Sequence, residues 1–144
     1  MSDLELFFDH LVRYEIQLWD AVDARLRAEC DLQLTWFEVM RLLGNRGACR
    51  VQDVATEFGI TTGGASKAVD RIEAAGYCRR SANPANRRSS LVELTGAGRR
   101  VLRRAVVVFE DELQQRVGAV LAGPEIDQLS RALATLRDAR GART

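Results

Sequence analysis

The sequence contains little lysine, histidine or proline, and its few cysteines form no recognisable pair. Lys67 is the single lysine among 21 Lys/Arg residues, and His10 is the single histidine. The three cysteines are widely spaced with no Cys-x-x-Cys pair, a pattern that predicts neither a disulfide framework nor a zinc knuckle. No Ser-His-acid arrangement and no glycine-rich phosphate loop is present. We therefore predict a protein that is not an enzyme and has no metal or cofactor.

Long apolar runs are also missing. No uninterrupted apolar segment reaches membrane-spanning length, and the first residues, Met-Ser-Asp-Leu-Glu, do not resemble a secretory signal. We expect no membrane insertion and a cytoplasmic location. A chain of 144 residues suits one compact structural domain, which at this size buries roughly 70% of its unfolded surface.

Positive charge is concentrated in the middle of the chain. Residues 46–104 hold 12 Lys/Arg against 5 Asp/Glu, a net charge of +7, whereas residues 1–45 carry −5 and residues 105–144 carry −1. Clustered cations gain affinity for polyanions by releasing condensed counterions. Charge alone leaves two interpretations open, a surface that binds nucleic acid or a solvated basic surface. Sequence motifs are needed to distinguish them.

Helical periodicity and capping signals predict four helices before the first strand. Ser2-x-x-Glu5 is a capping box that begins a helix reaching about Ala28, and Thr35-x-x-Glu38 is a second box whose short helix stops near Gly44. The next two helices are short and separated by about three residues: 51–58, ended by Gly59, and 62–75, ended by Gly76.

After residue 76 the residue pattern changes from helical to strand-like and predicts a β-hairpin. Residues 77–81 and 91–94 are strand-like, and Asn83-Pro84-Ala85-Asn86 has turn chemistry with Arg87 and Arg88 at the tip. A long helix with apolar residues from Val101 to Val120 follows, and a last helix begins at Pro124. Two short helices, a tight turn and a basic hairpin predict a mainly α fold with a small β-hairpin wing (α+β), the winged helix-turn-helix, whose second helix can enter a major groove.

The predicted reading helix has two distinct faces. The helical spacing predicts that one face packs inward, with Ala65, Ala68, Val69, Ile72 and Ala75. It predicts that the other face points outward, with Gly63, Gly64, Lys67, Asp70 and Arg71. Two glycines in a first helical turn cost roughly 1 kcal/mol each relative to alanine, so close approach of the backbone to DNA is a reason for them. A poorly optimised helix start is the alternative. Lys67 suits guanine or phosphate contact, and Arg71 suits phosphate.

Three stretches resemble the MarR family of winged helix-turn-helix bacterial transcription regulators. They are Gly59-Ile60, the run Ser66-Lys67-x-x-Asp-Arg71-Ile-Glu-x-x-Gly76, and Asn-Pro-x-Asn-Arg-Arg88 followed by Leu-Val-x-Leu-Thr95-x-x-Gly98. The resemblance implies a homodimer on a palindromic operator in double-stranded DNA, with dimerisation helices in residues 1–33 and 101–144 and the DNA-binding region in residues 34–100. It implies a dimeric repressor, released by a small aromatic or phenolic ligand.

The same resemblance implies two sets of DNA contacts. The reading-helix set is Thr61, Thr62, Gly63, Gly64, Ser66, Lys67 and Arg71; the wing and flank set is Arg50, Asn83, Asn86, Arg87, Arg88 and Ser89. The wing tip is expected in a minor groove. Acidic residues usual in the family's wing are replaced here by Asn83 and Asn86, which removes a carboxylate brace but also removes negative charge near phosphates.

A ligand site is predicted on the first helix. His10, Arg13, Tyr14 and Gln17 share a face that Trp36 can approach, and this mixture suits an aromatic carboxylate. A solvated face with core aromatics is the alternative.

Two alternative functions use the same fold. One is a dimeric protein-interaction module that has lost specific DNA binding, against which the basic middle argues. The other is a thiol-based redox sensor, yet Cys30, Cys49 and Cys78 do not match the sensing position of the resembled family and are interpreted as buried or incidental.

Overall fold

The computed structural model describes residues 1–141, and the side chains of residues 1–139. The described residues form six α-helices and a three-stranded antiparallel sheet of order β1-β3-β2, which confirms the mainly α fold with a small hairpin. The elements in chain order are α1 Asp3–Cys30, α2 Leu34–Arg46, β1 Cys49–Arg50, α3 Val51–Phe58, α4 Thr62–Ala74, β2 Cys78–Ala82, β3 Ser90–Leu94, α5 Gly96–Leu113 and α6 Gly123–Gly141. Of the predicted C-terminal region, residues 142–144 lie outside the described part.

Two compact units divide the chain between Phe109 and Glu110. The first holds α1 to α4, the sheet and most of α5. The second holds the end of α5, a π-helical turn at Gln114–Gly118, and α6. None of the described helices is both long enough and apolar enough to cross a bilayer.

The core of the first unit joins every helix from α1 to α4 to the sheet. Its largest fully buried side chains are Leu26, Leu32, Phe37, Met40, Val54, Val69, Ile72 and Val92. Helix α1 enters this core only near its C-terminal end, through Val22, Leu26 and Cys30. Its N-terminal half instead leaves large apolar side chains uncovered, with Leu4 80% and Phe8 62% exposed.

The capping box at Ser2 and Glu5 is confirmed, but the one predicted at Thr35 and Glu38 is wrong. Helix α2 begins two residues earlier than that box predicts, at Leu34, whose N–H donates to Asp23 Oδ1 at 2.9 Å. A carboxylate from α1 thus caps α2 in place of a local hydroxyl. Glu38 does not reach back, since it accepts from Arg41 Nη2 at 3.0 and 3.1 Å.

Gly44 does not stop α2, which continues to Arg46. A Cβ at residue 44 would lie 2.7 Å from Leu102 Cδ2 of α5, so a larger residue there would force the Leu102 side chain to shift. Helix α1 likewise runs to Cys30, two residues past its predicted end. The two-residue strand β1 was not predicted, and it pairs Cys49 with Val92 of β3.

Ala75 was predicted to face inward but is exposed. Helix α4 ends at Ala74, and Gly76 adopts φ +85°, a left-handed conformation that turns the chain into β2. The Gly76 and Tyr77 N–H groups donate to Glu73 and Ile72 carbonyl oxygens at 2.9 and 3.1 Å, which closes the helix end.

The C-terminal end of α4 is joined tightly to the start of α5. Thr95 Oγ1 donates to the Gly76 carbonyl oxygen at 2.6 Å and accepts from the Gly98 N–H at 3.0 Å. The Thr95 N–H donates to the Tyr77 carbonyl oxygen at 3.0 Å. A Cβ on Gly98 would clash with that same carbonyl, so this junction requires glycine.

Candidate nucleic-acid interface

Helix α4 is presented by a short turn and anchored by its apolar face. Gly59 ends α3 at φ +64°, and Thr61 Oγ1 accepts from the Gly64 N–H at 3.0 Å to cap α4. Ala65, Val69 and Ile72 are fully buried, whereas Ala68 is half-buried. This anchoring fixes the opposite face of the helix toward solvent.

Most of the predicted reading-helix residues share that exposed face. Thr61, Thr62, Gly63, Gly64, Lys67 and Arg71 are all exposed. No carboxylate of the described side chains forms an ion pair with Lys67 or Arg71. Ser66 differs, because it is half-buried and its Oγ lies 3.4 Å from Arg80 Nη2. The two cations are therefore available to an external anion.

The two glycines of α4 have different surroundings. A Cβ at residue 64 would lie 3.2 Å from the Thr61 capping hydroxyl, so the cap accounts in part for Gly64. A Cβ at residue 63 would meet no described atom within 4 Å, and its φ is not left-handed. Packing within the chain therefore does not require Gly63.

The wing loop is held by asparagine side chains. Asn83 Nδ2 donates to Ser89 Oγ at 3.0 Å, and Asn83 Oδ1 accepts from the Ala85 N–H at 3.0 Å. Asn86 Oδ1 accepts from the Arg88 N–H at 3.0 Å. These Asx turns brace the loop in place of the carboxylate that is usual in the resembled family.

Arg87 and Arg88 are exposed at the wing tip, and neither forms an ion pair with a described side chain. Arg50, which was predicted with them, is occupied differently. The Arg50 Nη2 atom pairs with Asp53 Oδ1 at 3.0 Å, and the Arg50 main-chain N–H donates to Asp53 Oδ2 at 3.0 Å. The side-chain hydrogen bond between the two residues raises the pKa of Arg50 and lowers the pKa of Asp53. Asp53 thus caps the start of α3 and holds the Arg50 side chain, and a role for Arg50 on DNA stays a prediction.

One polar cluster of the interface was not predicted. Arg80 of β2 reaches α4, where its Nη1 pairs with Asp70 Oδ1 at 2.7 Å and with Glu73 Oε1 at 3.2 Å. Periodicity places Asp70 and Glu73 one turn apart, but only the strand register shows that Arg80 faces them. Its neighbour Arg79 instead pairs with Glu93 across the hairpin at 2.9 Å.

The predicted ligand residues are not brought together by the described contacts. Trp36 lines a cleft of about 270 Å³ with Arg27, Gln33 and Tyr77, among others. His10, Arg13 and Tyr14 are exposed on the N-terminal half of α1 and are not among the lining residues described. Arg13 pairs with Asp9 at 3.5 Å. A site built from all four residues stays a prediction.

All three cysteines are buried as free thiols. Burial raises the pKa of each, and that of Cys78 to about 11. A reactive thiol needs a lowered pKa and exposure, so this environment does not favour redox sensing.

Residues 32–90, which run from before α2 to the first residue of β3, match the model of the MarR family. This part of the chain is thus similar to the MarR family. It is 32% identical over 73 residues to YfiV of Bacillus subtilis (strain 168), an HTH-type transcriptional regulator; the match covers 51% of this chain and 46% of YfiV. The matched stretch thus spans less than half of that curated relative.

Solved MarR-type structures share the fold over nearly the whole chain. Sco3205 of Streptomyces coelicolor, a MarR family regulator solved in complex with DNA, has a TM-score of 0.89 at 23% identity, covering 96% of this chain and 89% of its own. The transcriptional repressor CouR, solved on a 23-mer DNA duplex, has a TM-score of 0.82 at 27% identity, covering 89% of each chain.

Proposed function

We propose that this chain is a MarR-family, sequence-specific DNA-binding transcription regulator, which acts as a dimeric repressor on a palindromic operator. One observation carries the proposal. Of the twelve cations of the basic middle, Arg50, Arg79 and Arg80 pair with carboxylates of the chain, whereas the other nine have no such pair among the described side chains. Four of these nine, Lys67, Arg71, Arg87 and Arg88, lie on the outer face of α4 and at the wing tip.

The positions of these four cations suit the grooves of a DNA duplex. Helix α4 presents Lys67 and Arg71 as a major-groove element does, and Lys67 is the candidate for contact with a base edge. The wing tip offers Arg87 and Arg88 to a minor groove, which attracts arginine most strongly where A·T-rich sequence narrows it. Thr61, Thr62 and Ser66 are proposed to support the reading helix, and Asn83, Asn86 and Ser89 to shape the wing.

The proposal includes a homodimer. Exposed apolar side chains on the N-terminal half of α1 form a patch that a monomer would leave in water, among them Leu4, Phe7, Phe8 and Ile16. We assign dimerisation to residues 1–33 and 101–144. A two-fold axis would place the two half-sites about one helical turn apart.

Binding and operator symmetry can be tested in one experiment. The purified chain selects duplexes from a random DNA pool, and the enriched sequences are bound again over a range of salt concentrations. A two-fold symmetric consensus with a salt-dependent affinity is the expected result. Equal binding to all duplexes, or none, would contradict the proposal and leave the protein-interaction module.

The dimer has its own test. Light scattering after size exclusion is expected to give twice the chain mass for the wild type and the chain mass for Phe8→Glu. Ile60→Glu serves as the matched control, because Ile60 is a 46% exposed apolar residue outside the patch. A monomeric wild type would contradict the dimer.

Effector release rests on the resemblance alone. The expected result is that a panel of aromatic and phenolic acids includes at least one compound that lowers operator affinity in competition. Trp36→Ala should weaken that response if the cleft beside it holds the ligand.

A further inference from the structure

Arg80 links the wing to the reading helix by five polar contacts. Besides its pairs with Asp70 and Glu73, its Nη2 donates to Ser66 Oγ at 3.4 Å and to the Ser66 carbonyl oxygen at 3.5 Å. The Arg80 main-chain N–H donates to Glu73 Oε2 at 2.9 Å. Together Ser66, Asp70, Glu73 and Arg80 are called the α4–wing clamp here.

The clamp restricts how strand β2 is oriented relative to α4. Ser66, Asp70 and Glu73 follow one another by four and three residues, so they form one stripe along two turns of α4. The planar guanidinium offers donors in a fixed fork, which a flexible ammonium does not. The Arg80 side chain is also only 24% exposed, whereas that of Arg79 is 65% exposed. A part-buried fork touching two helical turns restricts both the distance and the angle between strand and helix.

The clamp also changes the charge on the DNA-facing side. Asp70 is 62% exposed on the same helix as Lys67 and Arg71, and an uncompensated carboxylate there would repel phosphates. Arg80 compensates it from the protein side, which leaves the two unpaired cations of α4 to face outward. The position of β2 relative to α4 and the neutralisation of Asp70 therefore depend on the same guanidinium.

We propose that Arg80 is a positioning residue that sets the angle between the reading helix and the wing. In this way Lys67 and Arg71 would engage one groove at the same time as Arg87 and Arg88 engage the next. Sequence selectivity requires both sets to engage in register, whereas non-selective binding to phosphates does not. The inference rests on the proposed DNA-binding function.

The chain provides a matched control on the adjacent residue. Arg79→Gln removes the same charge from the same strand and breaks the cross-strand pair with Glu93, which lies inside the hairpin. Arg80→Gln removes the charge and the clamp together. Arg80→Lys keeps the charge and loses the fork.

The test compares the affinity for the selected operator with that for a random duplex of equal length, at fixed salt. Arg80→Gln should lower this ratio roughly tenfold, equal to about 1.4 kcal/mol, whereas Arg79→Gln should change it less than about threefold. Arg80→Lys should lower the ratio while leaving its random-duplex affinity and salt slope near wild type. Equal ratios for Arg80→Gln and Arg79→Gln would overturn the proposal.

A second measurement needs no DNA and separates this inference from the proposed function. Amide hydrogen exchange in residues 81–90 should be faster in Arg80→Gln than in Arg79→Gln, because only the first releases the wing from α4. Unchanged exchange would overturn the clamp even if operator binding is found. If Arg80→Gln does not fold, Asp70→Asn and Glu73→Gln replace it, with the same expected fall in ratio and rise in exchange.

Discussion

The reading helix and the wing belong to one proposed interface but are held in place by different forces. Helix α4 is anchored by Ala65, Val69 and Ile72, all fully buried in the core of the first unit. The wing loop between β2 and β3 has no buried side chain; hydrogen bonds from Asn83 and Asn86 set its shape. Apolar burial is cooperative with the whole fold, whereas local polar bonds are not.

Because of this difference, substitutions in the two regions should affect different properties, either the stability of the fold or the binding of DNA. A change on the buried face of α4 should act on the free energy of unfolding of the whole unit. A change in the wing loop should leave unfolding almost unaltered and act on DNA alone. Four substitutions test the comparison, in order of decreasing expected effect.

Ile72→Ala should have the largest effect. Ile72 is fully buried, and truncating such a side chain costs about 2–5 kcal/mol through lost burial and the remaining cavity. Denaturant unfolding at equilibrium measures the loss, with Asn83→Ala in the wing loop as the control. The comparison fails if Asn83→Ala destabilises the chain as much as Ile72→Ala.

Lys67→Ala should come next, and only in DNA binding. A base-edge contact predicts a loss of about 1–3 kcal/mol in operator affinity with relaxed selectivity, whereas a phosphate contact predicts a salt slope smaller by about 1. Titrations of operator and mutated operators at several salt concentrations distinguish the two. Unchanged affinity and selectivity would remove Lys67 from the interface.

Gly63→Ala should move stability and binding in opposite directions. A Cβ at residue 63 meets no described atom, so alanine should stabilise the helix by up to about 1 kcal/mol. If the backbone at Gly63 approaches the duplex, the same methyl group should weaken operator binding. Thermal unfolding and operator titration measure the two effects.

Gly96→Ala is the control for that substitution, since Gly96 begins α5 and its Cβ would make only an ordinary contact, 3.5 Å from Arg100 Nη1. It should stabilise the chain similarly and leave operator affinity unchanged. A Gly63→Ala protein that binds the operator as tightly as wild type would show that this glycine does not serve DNA approach.

Asn86→Asp should have the smallest effect. Aspartate can still accept from the Arg88 N–H as Asn86 does at 3.0 Å, and it could brace a wing arginine, but it adds negative charge near phosphates. Because these effects partly cancel, operator affinity should change by less than about tenfold. A larger change, measured together with the salt slope, would show that one effect dominates.

The sequence was sufficient for features that depend on neighbouring residues. The α4 start at Thr62, the left-handed Gly76 and the hairpin follow from capping, backbone freedom and period, and all three are present. Apolar spacing also separated the buried residues of α4 from Lys67 and Arg71.

Features that depend on distant residues were missed for a physical reason. Strand β1 has only two residues and exists through pairing with β3, and the cap of Leu34 comes from Asp23, eleven positions away. The choice of Arg80 over Arg79 as the partner of α4 depends on strand register. Gly44 looks like a helix stop, yet it lies inside α2 and faces the Leu102 side chain of α5. None of these leaves a periodic signal along the chain.

Close packing at Gly98 makes the α4–α5 junction a rigid joint rather than a hinge. Gly98 lies against the Tyr77 carbonyl, and Thr95 is bonded to Gly76, so the first turn of α5 cannot tilt without carrying the end of α4 with it. The start of α5 is thus a second support for the C-terminal end of α4, in addition to the buried face of that helix.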